Sequence, residues 1–263
     1  MKKSSKVLLG LFAVVVVIAI FLTGVFVGSN QAFFNSFVNN TVQEDMTLTD
    51  GSEITLTQDI RNIKVDWISG NVCFVRADVE NIQFIETSDR GISKSDALVY
   101  TVRGNTLEIR FAKSSFGVNV SVPSKELIVR LPEGVFDNIE ISSVSADVNL
   151  DWLYAKELLV ETVSANVVCN NGYIDEFDFE GVSGDIEINN AVCPHYDLES
   201  VSGEIVLTLP SDSSFIAEFD SVSGDFFTTF DVTASGDEYI CANGTDEINI
   251  NTVSGNARVL KGE

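Results

Sequence analysis

Basic residues and histidine are scarce in this sequence. The 263 residues include 16 Lys and Arg against 39 Asp and Glu, which gives a formal net charge of −23. Such a surface repels nucleic acid and anionic lipid, so neither is expected as a partner. The only histidine, His195, follows Cys193 across a proline. Because no orienting group is in view, the sequence predicts a loop histidine rather than half of a catalytic thiolate pair.

The cysteines form no metal-binding motif. No Cys-x-x-Cys spacing occurs among Cys73, Cys169, Cys193 and Cys241, so a zinc site is not expected. An exported domain can form disulfides, and a Cys169–Cys193 bridge would join adjacent repeats. We interpret the four thiols as buried or loop residues and leave that bridge open.

One short motif recurs along the chain: a β-branched residue, then Ser, a small residue, and Asp, Asn or Glu. From Ser145 onward its serines are separated by 19, 19, 19, 21 and 31 residues. A period near 20 is typical of a repeat architecture. A catalytic serine would not need seven copies, so we expect each to hydrogen-bond its own backbone or the next serine in the stack. The seven serines are Ser69, Ser145, Ser164, Ser183, Ser202, Ser223 and Ser254.

Apolar residues flank every serine at positions −6, −4, −1, +3 and +5. Around Ser183 these are Phe177, Phe179, Val182, Ile186 and Ile188. Spacing of two is strand periodicity, and the odd step across the serine marks a corner between two strands. One such unit cannot bury its apolar face alone, so the copies must stack. The sequence predicts an all-β fold, a single-stranded β-helix or β-solenoid with coils of about 20 residues and all five positions inward.

The regions outside the clean repeats are less regular. Between Val75 and Asn138 we predict short strands that cap the solenoid, and the sequence Arg103-Gly-Asn105 predicts a turn. An insertion at 231–246 is either a functional loop or a plain excursion. The predicted strands are 82–86, 98–102, 107–111, 118–122 and 127–131.

The N-terminal 27 residues include an uncharged apolar run from Val7 to Val27. In a helix such a run reaches about 30 Å, enough to cross a bilayer. Lys2, Lys3 and Lys6 precede it, which predicts a cytoplasmic N-terminus and an outside C-terminal domain. We favour this single-pass anchor in the cell membrane over a cleaved signal peptide. The expected divisions are a cytoplasmic tip and anchor at 1–28, a stalk at 29–50, and an extracytoplasmic solenoid at 51–263, irregular over 51–138 and regular over 139–263.

Acidic side chains recur at position −3 of the repeats. Glu161, Glu180, Glu199 and Asp220 are expected to form one outward stripe across four consecutive coils, about 4.8 Å apart. A divalent cation would relieve their repulsion, which makes them a candidate weak Ca²⁺ ladder. We favour the alternative of a solvated acidic face, with Asn and Asp chosen for turns. Neither the EF-hand loop nor the glycine-rich Ca²⁺ repeat is present.

The chain also resembles a known family. The Val-Ser-Gly-Asp repeats, the segment DIRNIKVDWISGNVCFVRAD and the Leu-Pro pairs at 131–132 and 209–210 resemble the bacterial "putative adhesin" domain of unknown function, over roughly 50–262. The resemblance implies a right-handed β-helical fold on bacterial envelope proteins, often tethered by one N-terminal span. It supplies no catalytic residues.

Two classes of function follow. The first is a non-enzymatic, membrane-anchored module for adhesion, scaffolding or an interaction related to envelope stress, with an envelope protein or glycan as partner and no cofactor. The alternative is a Ca²⁺-dependent β-helix enzyme acting on polysaccharide. After Arg130 only Lys156, Arg258 and Lys261 remain as strong bases, at scattered positions, so no acid–base cluster supports the enzyme.

Overall fold

The computed structural model describes residues 47–48, 51–93, 96–111 and 124–262. They form eighteen β-strands joined edge to edge into one hydrogen-bonded sheet, which confirms the all-β prediction. Within these ranges, no helix has the length and apolar character needed to cross a membrane. The predicted transmembrane helix, nearly all of the predicted stalk and the predicted strand at 118–122 fall outside the described residues.

The strands are numbered in chain order. They are β1 (Thr47–Leu48), β2 (Ile54–Thr55), β3 (Asn62–Arg76), β4 (Gln83–Thr87), β5 (Val99–Arg103), β6 (Thr106–Arg110), β7 (Lys125–Leu131), β8 (Phe136–Ser164), β9 (Val167–Ser183), β10 (Ile186–Asn189), β11 (His195–Ser200), β12 (Glu204–Leu209), β13 (Phe215–Ser221), β14 (Phe226–Thr228), β15 (Val232–Ser235), β16 (Glu238–Cys241), β17 (Asp246–Thr252) and β18 (Asn256–Lys261).

Parallel pairing between residues 19 positions apart builds the solenoid. Leu158 of β8 pairs with Phe177 of β9, and Ile186 of β10 pairs with Val167 of β9. Each coil contributes one strand before the serine corner and one after it. The predicted coil length of about 20 residues is therefore confirmed.

The coils do not stack in chain order. β3 lies between β8 on one side and β6 with β7 on the other. At the opposite end β17 lies between β11 and β13, and β18 lies between β12 and β14. Numbered along the stack, coil 1 is β6 and β7, coil 2 is β3, coil 3 is 138–151, coil 4 is 157–170, coil 5 is 176–189, coil 6 is β11 and β12, coil 7 is β17 and β18, and coil 8 is β13 and β14.

Four of the five predicted core positions are buried throughout coils 2 to 7. At −6, −4, +3 and +5 the only half-buried residues are Phe226 and Thr228, in the outermost coil 8. Position −1 is different, because Val182 and its equivalents lie half-exposed on the outside of the corner, so the prediction that Val182 points inward is wrong. The period of two continues through −2 instead, where small or hydroxyl side chains face the core.

Those −2 side chains fold back onto the corner itself. The Ser143 hydroxyl accepts a hydrogen bond from the Ala146 amide at 2.9 Å. Thr252 accepts from the Gly255 amide in the same way, at 2.7 Å. A buried polar side chain needs such a partner, and here it fixes the bend between the two strands of a coil.

Antiparallel strands cover the outer edges of the stack. At one end β5 pairs with β6 around Gly104, and β4 pairs with β7. At the other end β16 pairs with β13 and with β15, so the 231–246 insertion is a hairpin that caps coil 8. Four predicted strands of the irregular region are confirmed as β4, β5, β6 and β7. Covering an edge removes a template for pairing with other chains.

The first cap contains a buried ion pair. Lys125 Nζ lies 2.8 Å from Glu86 Oε1, and both side chains are 1% exposed. The other Glu86 oxygen accepts from the Leu98 amide at 2.8 Å, and the ammonium lies 4.0 Å above the Phe111 ring. Because removing one partner would leave a buried charge, this pair fixes the cap on coil 1.

Candidate functional site

The repeated serines form a ladder between coils. The Ser145 hydroxyl donates to the Ile68 carbonyl at 2.9 Å, and the Ser183 hydroxyl donates to the Val163 carbonyl at 3.3 Å. Every serine from coil 3 to coil 8 makes this bond to the −1 residue of the coil before it in the stack. A structural role is thus confirmed, but the partner is the neighbouring backbone rather than the serine's own backbone or another serine.

The Asn and Asp residues at position +2 make a second ladder. Asp147 accepts from the Asn166 amide at 2.8 Å, and Asn166 accepts from the Asp185 amide at 3.1 Å. Asp185 in turn accepts from the Glu204 amide at 2.7 Å. These side chains satisfy backbone groups at the corner, which supports the expectation that Asn and Asp are chosen for turns.

The residue between Ser and Asp must be small. Gly184 has φ of 121°, and a Cβ there would lie 2.0 Å from the Ala165 carbonyl oxygen of the next coil. The close approach of neighbouring backbones at the corner therefore excludes any larger residue.

The candidate Ca²⁺ ladder is continuous over three rungs only. Glu161 pairs in register with Glu180, and Glu180 with Glu199. Asn251 then lies between Glu199 and Asp220. The expectation of four consecutive acids is wrong because coil 7 is inserted between coils 6 and 8.

Five carboxylates of coils 4 to 6 form one outward surface, which we call the acidic face: Glu161, Asp178, Glu180, Asp197 and Glu199. Partial burial in the sheet, and then neighbouring carboxylates, raises the pKa of each member of the acidic face. Glu161 also accepts a hydrogen bond from the Ser142 hydroxyl at 2.9 Å, which partly offsets the rise in its pKa. Like charges one coil apart therefore weaken the folded state at neutral pH.

Metal ligation has no ready-made cluster on this surface. In the part of the chain that the structure describes, no group of three or more His, Cys, Asp or Glu side chains is arranged to hold a metal ion. Two carboxylates on neighbouring rungs remain the only arrangement that the predicted ladder offers here. Such incomplete sites bind Ca²⁺ weakly at best.

The histidine and the cysteines are separate from the acidic face's chemistry. His195 begins β11 rather than lying in a loop, and its Nδ1 is 3.7 Å from Glu247 Oε2. All four cysteines are free. Burial raises the pKa of the Cys169 and Cys193 thiols to about 12, so neither is a thiolate at neutral pH.

Coils 3 to 5 have a third side that the repeat pattern did not reveal. Leu153 pairs with Gly172, Tyr154 with Tyr173, and Tyr173 with Val192. Tyr173 and Val192 are exposed, as is Trp152 at the adjacent corner. The exposed aromatic residues between the repeats were the available signal, but their spacing does not follow the serine motif.

The chain belongs to the Toastrack DUF4097 family, whose sequence profile matches residues 60–201 and 145–260. The two overlapping matches span both halves of the solenoid, and the resemblance seen in the sequence is thereby confirmed. No curated protein shows significant similarity to the chain.

Several solved bacterial structures are similar to it. A "putative cell adhesion protein" from Clostridium sporogenes is 16% identical, with a TM-score of 0.47 over 80% of this chain and 99% of that chain. A "putative adhesin" from Bacteroides fragilis is 12% identical, with a TM-score of 0.39 over 82% and 99%. A "putative lipid binding protein" from Parabacteroides distasonis is 15% identical, with a TM-score of 0.36 over 81% and 98%.

Proposed function

We propose that this protein is a non-catalytic interaction module of a bacterial envelope, held at the cell membrane by an N-terminal helix and displayed outside the cell. Its solenoid is a rigid scaffold or adhesion surface, and its partner is an envelope protein or a glycan. The right-handed winding implied by the family resemblance is part of this proposal.

The observation that carries the proposal is the acidic face. The sheet holds Glu161, Glu180 and Glu199 in register one coil apart, and their raised pKa shows that the arrangement opposes folding at neutral pH. A surface that retains such repulsion is suited to an amine-bearing partner, whose positive charge would relieve it.

Topology is tested first, with the full chain in intact bacterial cells. Protease added outside should digest the solenoid and leave a membrane-bound N-terminal fragment. A solenoid that stays intact until the cells are opened would reverse the orientation and reject display outside.

The acidic face is tested by charge removal at a fixed net charge. A triple variant, Glu161→Gln with Glu180→Gln and Glu199→Gln, should lower attachment of the cells to an amine-coated surface several-fold while expression stays level.

The matched control removes three exposed loop carboxylates, by Asp78→Asn, Asp89→Asn and Asp212→Asn. It carries the same change in net charge and should leave attachment within about twofold, because loop charges without a fixed geometry give little specificity. Equal losses in both triple variants would mean that net charge alone matters, and the face would have no role.

The polysaccharide-acting enzyme is the competing function. Purified full chain should release no unsaturated products from polygalacturonate with Ca²⁺ present. Turnover that exceeds a heat-denatured sample would overturn the non-catalytic proposal.

A further inference from the structure

We propose that the third side of coils 3 to 5 is a binding platform for an uncharged glycan strand. The platform consists of Trp152, Tyr154, Tyr173 and Val192. This inference deepens the proposed function by naming one partner class, and it concerns a surface other than the acidic face. Trp152 is 50% exposed, Tyr173 41% and Val192 47%, so large apolar surfaces meet water side by side here.

The backbone at Trp152 is in a conformation that a bulky residue rarely adopts. Its φ is 55°, in the left-handed region, and the equivalent corners of coils 4 and 5 have Asn171 at 59° and Asn190 at 54°. Asparagine tolerates this conformation, whereas a large side chain there is an outlier. A tryptophan retained at this corner against local preference indicates a role for its exposed ring rather than for the fold.

Two tyrosines of the platform are held in place before any ligand arrives. The guanidinium carbon of Arg76 lies 4.6 Å from the centre of the Tyr154 ring. The Tyr173 hydroxyl bonds to the Asp175 side chain. Because Tyr154, Tyr173 and Val192 follow one another in register, they form a row with about 4.8 Å between neighbours. A preorganised row loses little entropy when an extended ligand binds.

The chemistry of the row favours a sugar chain. Pyranose rings present C–H faces that pack on aromatic rings, and their hydroxyls pair with carboxylates such as Asp175. The neighbouring cations are already engaged, since Arg76 is 3.1 Å from Glu133 and Lys156 is paired with Asp137. A uronate or phosphate-bearing chain would meet carboxylates without a free cation, so the platform selects an uncharged glycan.

Tryptophan fluorescence gives a direct readout of the platform. The chain has two tryptophans, and Trp67 is fully buried, so acrylamide quenching reports on Trp152. The full chain is titrated in a zwitterionic detergent without a sugar headgroup. Chitohexaose or cellohexaose at millimolar concentration should protect Trp152 from acrylamide, and hexagalacturonate should not.

Two variants separate binding from folding. Trp152→Asn installs the residue found at the equivalent corners, so the melting temperature should stay level or rise. Its affinity for the protecting oligosaccharide, measured by calorimetry, should fall at least about tenfold. Tyr173→Ser keeps the reporter and should weaken protection. The matched control, Phe227→Asn, removes another exposed aromatic residue at the far end of the stack and should leave the affinity within about twofold.

Several results would overturn the platform. They are unprotected Trp152 at millimolar oligosaccharide, an equal loss of affinity in Phe227→Asn, or protection by hexagalacturonate as well. Protection of Trp152 in phosphatidylcholine nanodiscs before any sugar is added would assign the row to the bilayer surface instead. Because the titration uses purified protein, it can fail while the topology experiment succeeds, and the reverse also holds.

Discussion

The Ser254 hydroxyl lies 3.3 Å from the carbonyl oxygen of Val201, a residue 53 positions earlier in the chain. The bond places coil 7 directly on coil 6, although β13 and β14 come between them in sequence. Coil 8 then packs on coil 7, where the Ser223 hydroxyl donates to the Val253 carbonyl at 3.4 Å. The C-terminal segment is therefore an internal rung, and β13 has no parallel neighbour until β17 is in place.

The stacking order can be tested by cross-linking. Glu199 and Asn251 are register partners on adjacent strands, so the variant with Glu199→Cys and Asn251→Cys should form a disulfide under mild oxidation. Mass spectrometry of the digested protein reads the linkage.

The control pair is Glu199→Cys with Asp220→Cys. The two positions are two coils apart, about 10 Å, which is beyond disulfide reach. Efficient bridging of this pair, without bridging of the first, would restore stacking in chain order.

The strand periodicity can be tested at neighbouring positions. Ile186 is 1% exposed, so Ile186→Asp should lower the free energy of unfolding by several kcal/mol, because it buries an unpaired charge. Glu187→Lys, one residue along and on the exposed side, should stay within about 0.5 kcal/mol. Thermal unfolding of the two variants checks this, and equal damage would contradict the assignment of faces.

The acidic face predicts an unusual response to pH. The folded pKa of Glu180 and Glu199 lies above the ordinary value because of partial burial and neighbouring carboxylates. The folded state thus binds protons more tightly than the unfolded state, so this contribution is fully present below the unfolded pKa and is lost as pH rises through the folded one. The melting temperature should rise when the pH is lowered from 7 toward 5, as calorimetry can show.

Charge removal on the face should mimic acid. Glu180→Gln should raise the melting temperature at pH 7 and reduce its change between pH 7 and pH 5. Glu187→Gln, on the other outward face, is the comparison and should leave that pH dependence as it is. A lower melting temperature for Glu180→Gln at pH 7 would mean that its carboxylate stabilises the fold.

Calcium should act on the same carboxylates if the ladder binds it. About 5 mM Ca²⁺ at matched ionic strength should raise the melting temperature, since a cation between two rungs binds the folded state only. The double variant Glu180→Gln with Glu199→Gln should lose much of this increase. Asp220→Asn should keep it, because Asn251 separates Asp220 from the other acids. No Ca²⁺ effect on the parent chain would leave a solvated face.

The sequence alone determined the coil and its core. Alternation of apolar residues around each serine has only one reading in strands, and residues such as Phe177, Phe179, Ile186 and Ile188 are buried as that reading requires. The 19-residue spacing set the parallel register for the same reason, since a one-residue slip would turn every core residue outward. The short strands at one end followed from the same local pattern.

Only the tertiary structure decided which coils are neighbours and which way the corner residues face. Every copy offers the same edge of backbone groups, so the motif cannot distinguish coil 7 from coil 8 as the partner of coil 6. Val182 and Ser200 illustrate the corner: the chain reverses there, the valine is left half-exposed and the serine is buried. The row from Trp152 to Val192 arises for the same physical reason, because side chains that are far apart in sequence meet only when the coils stack.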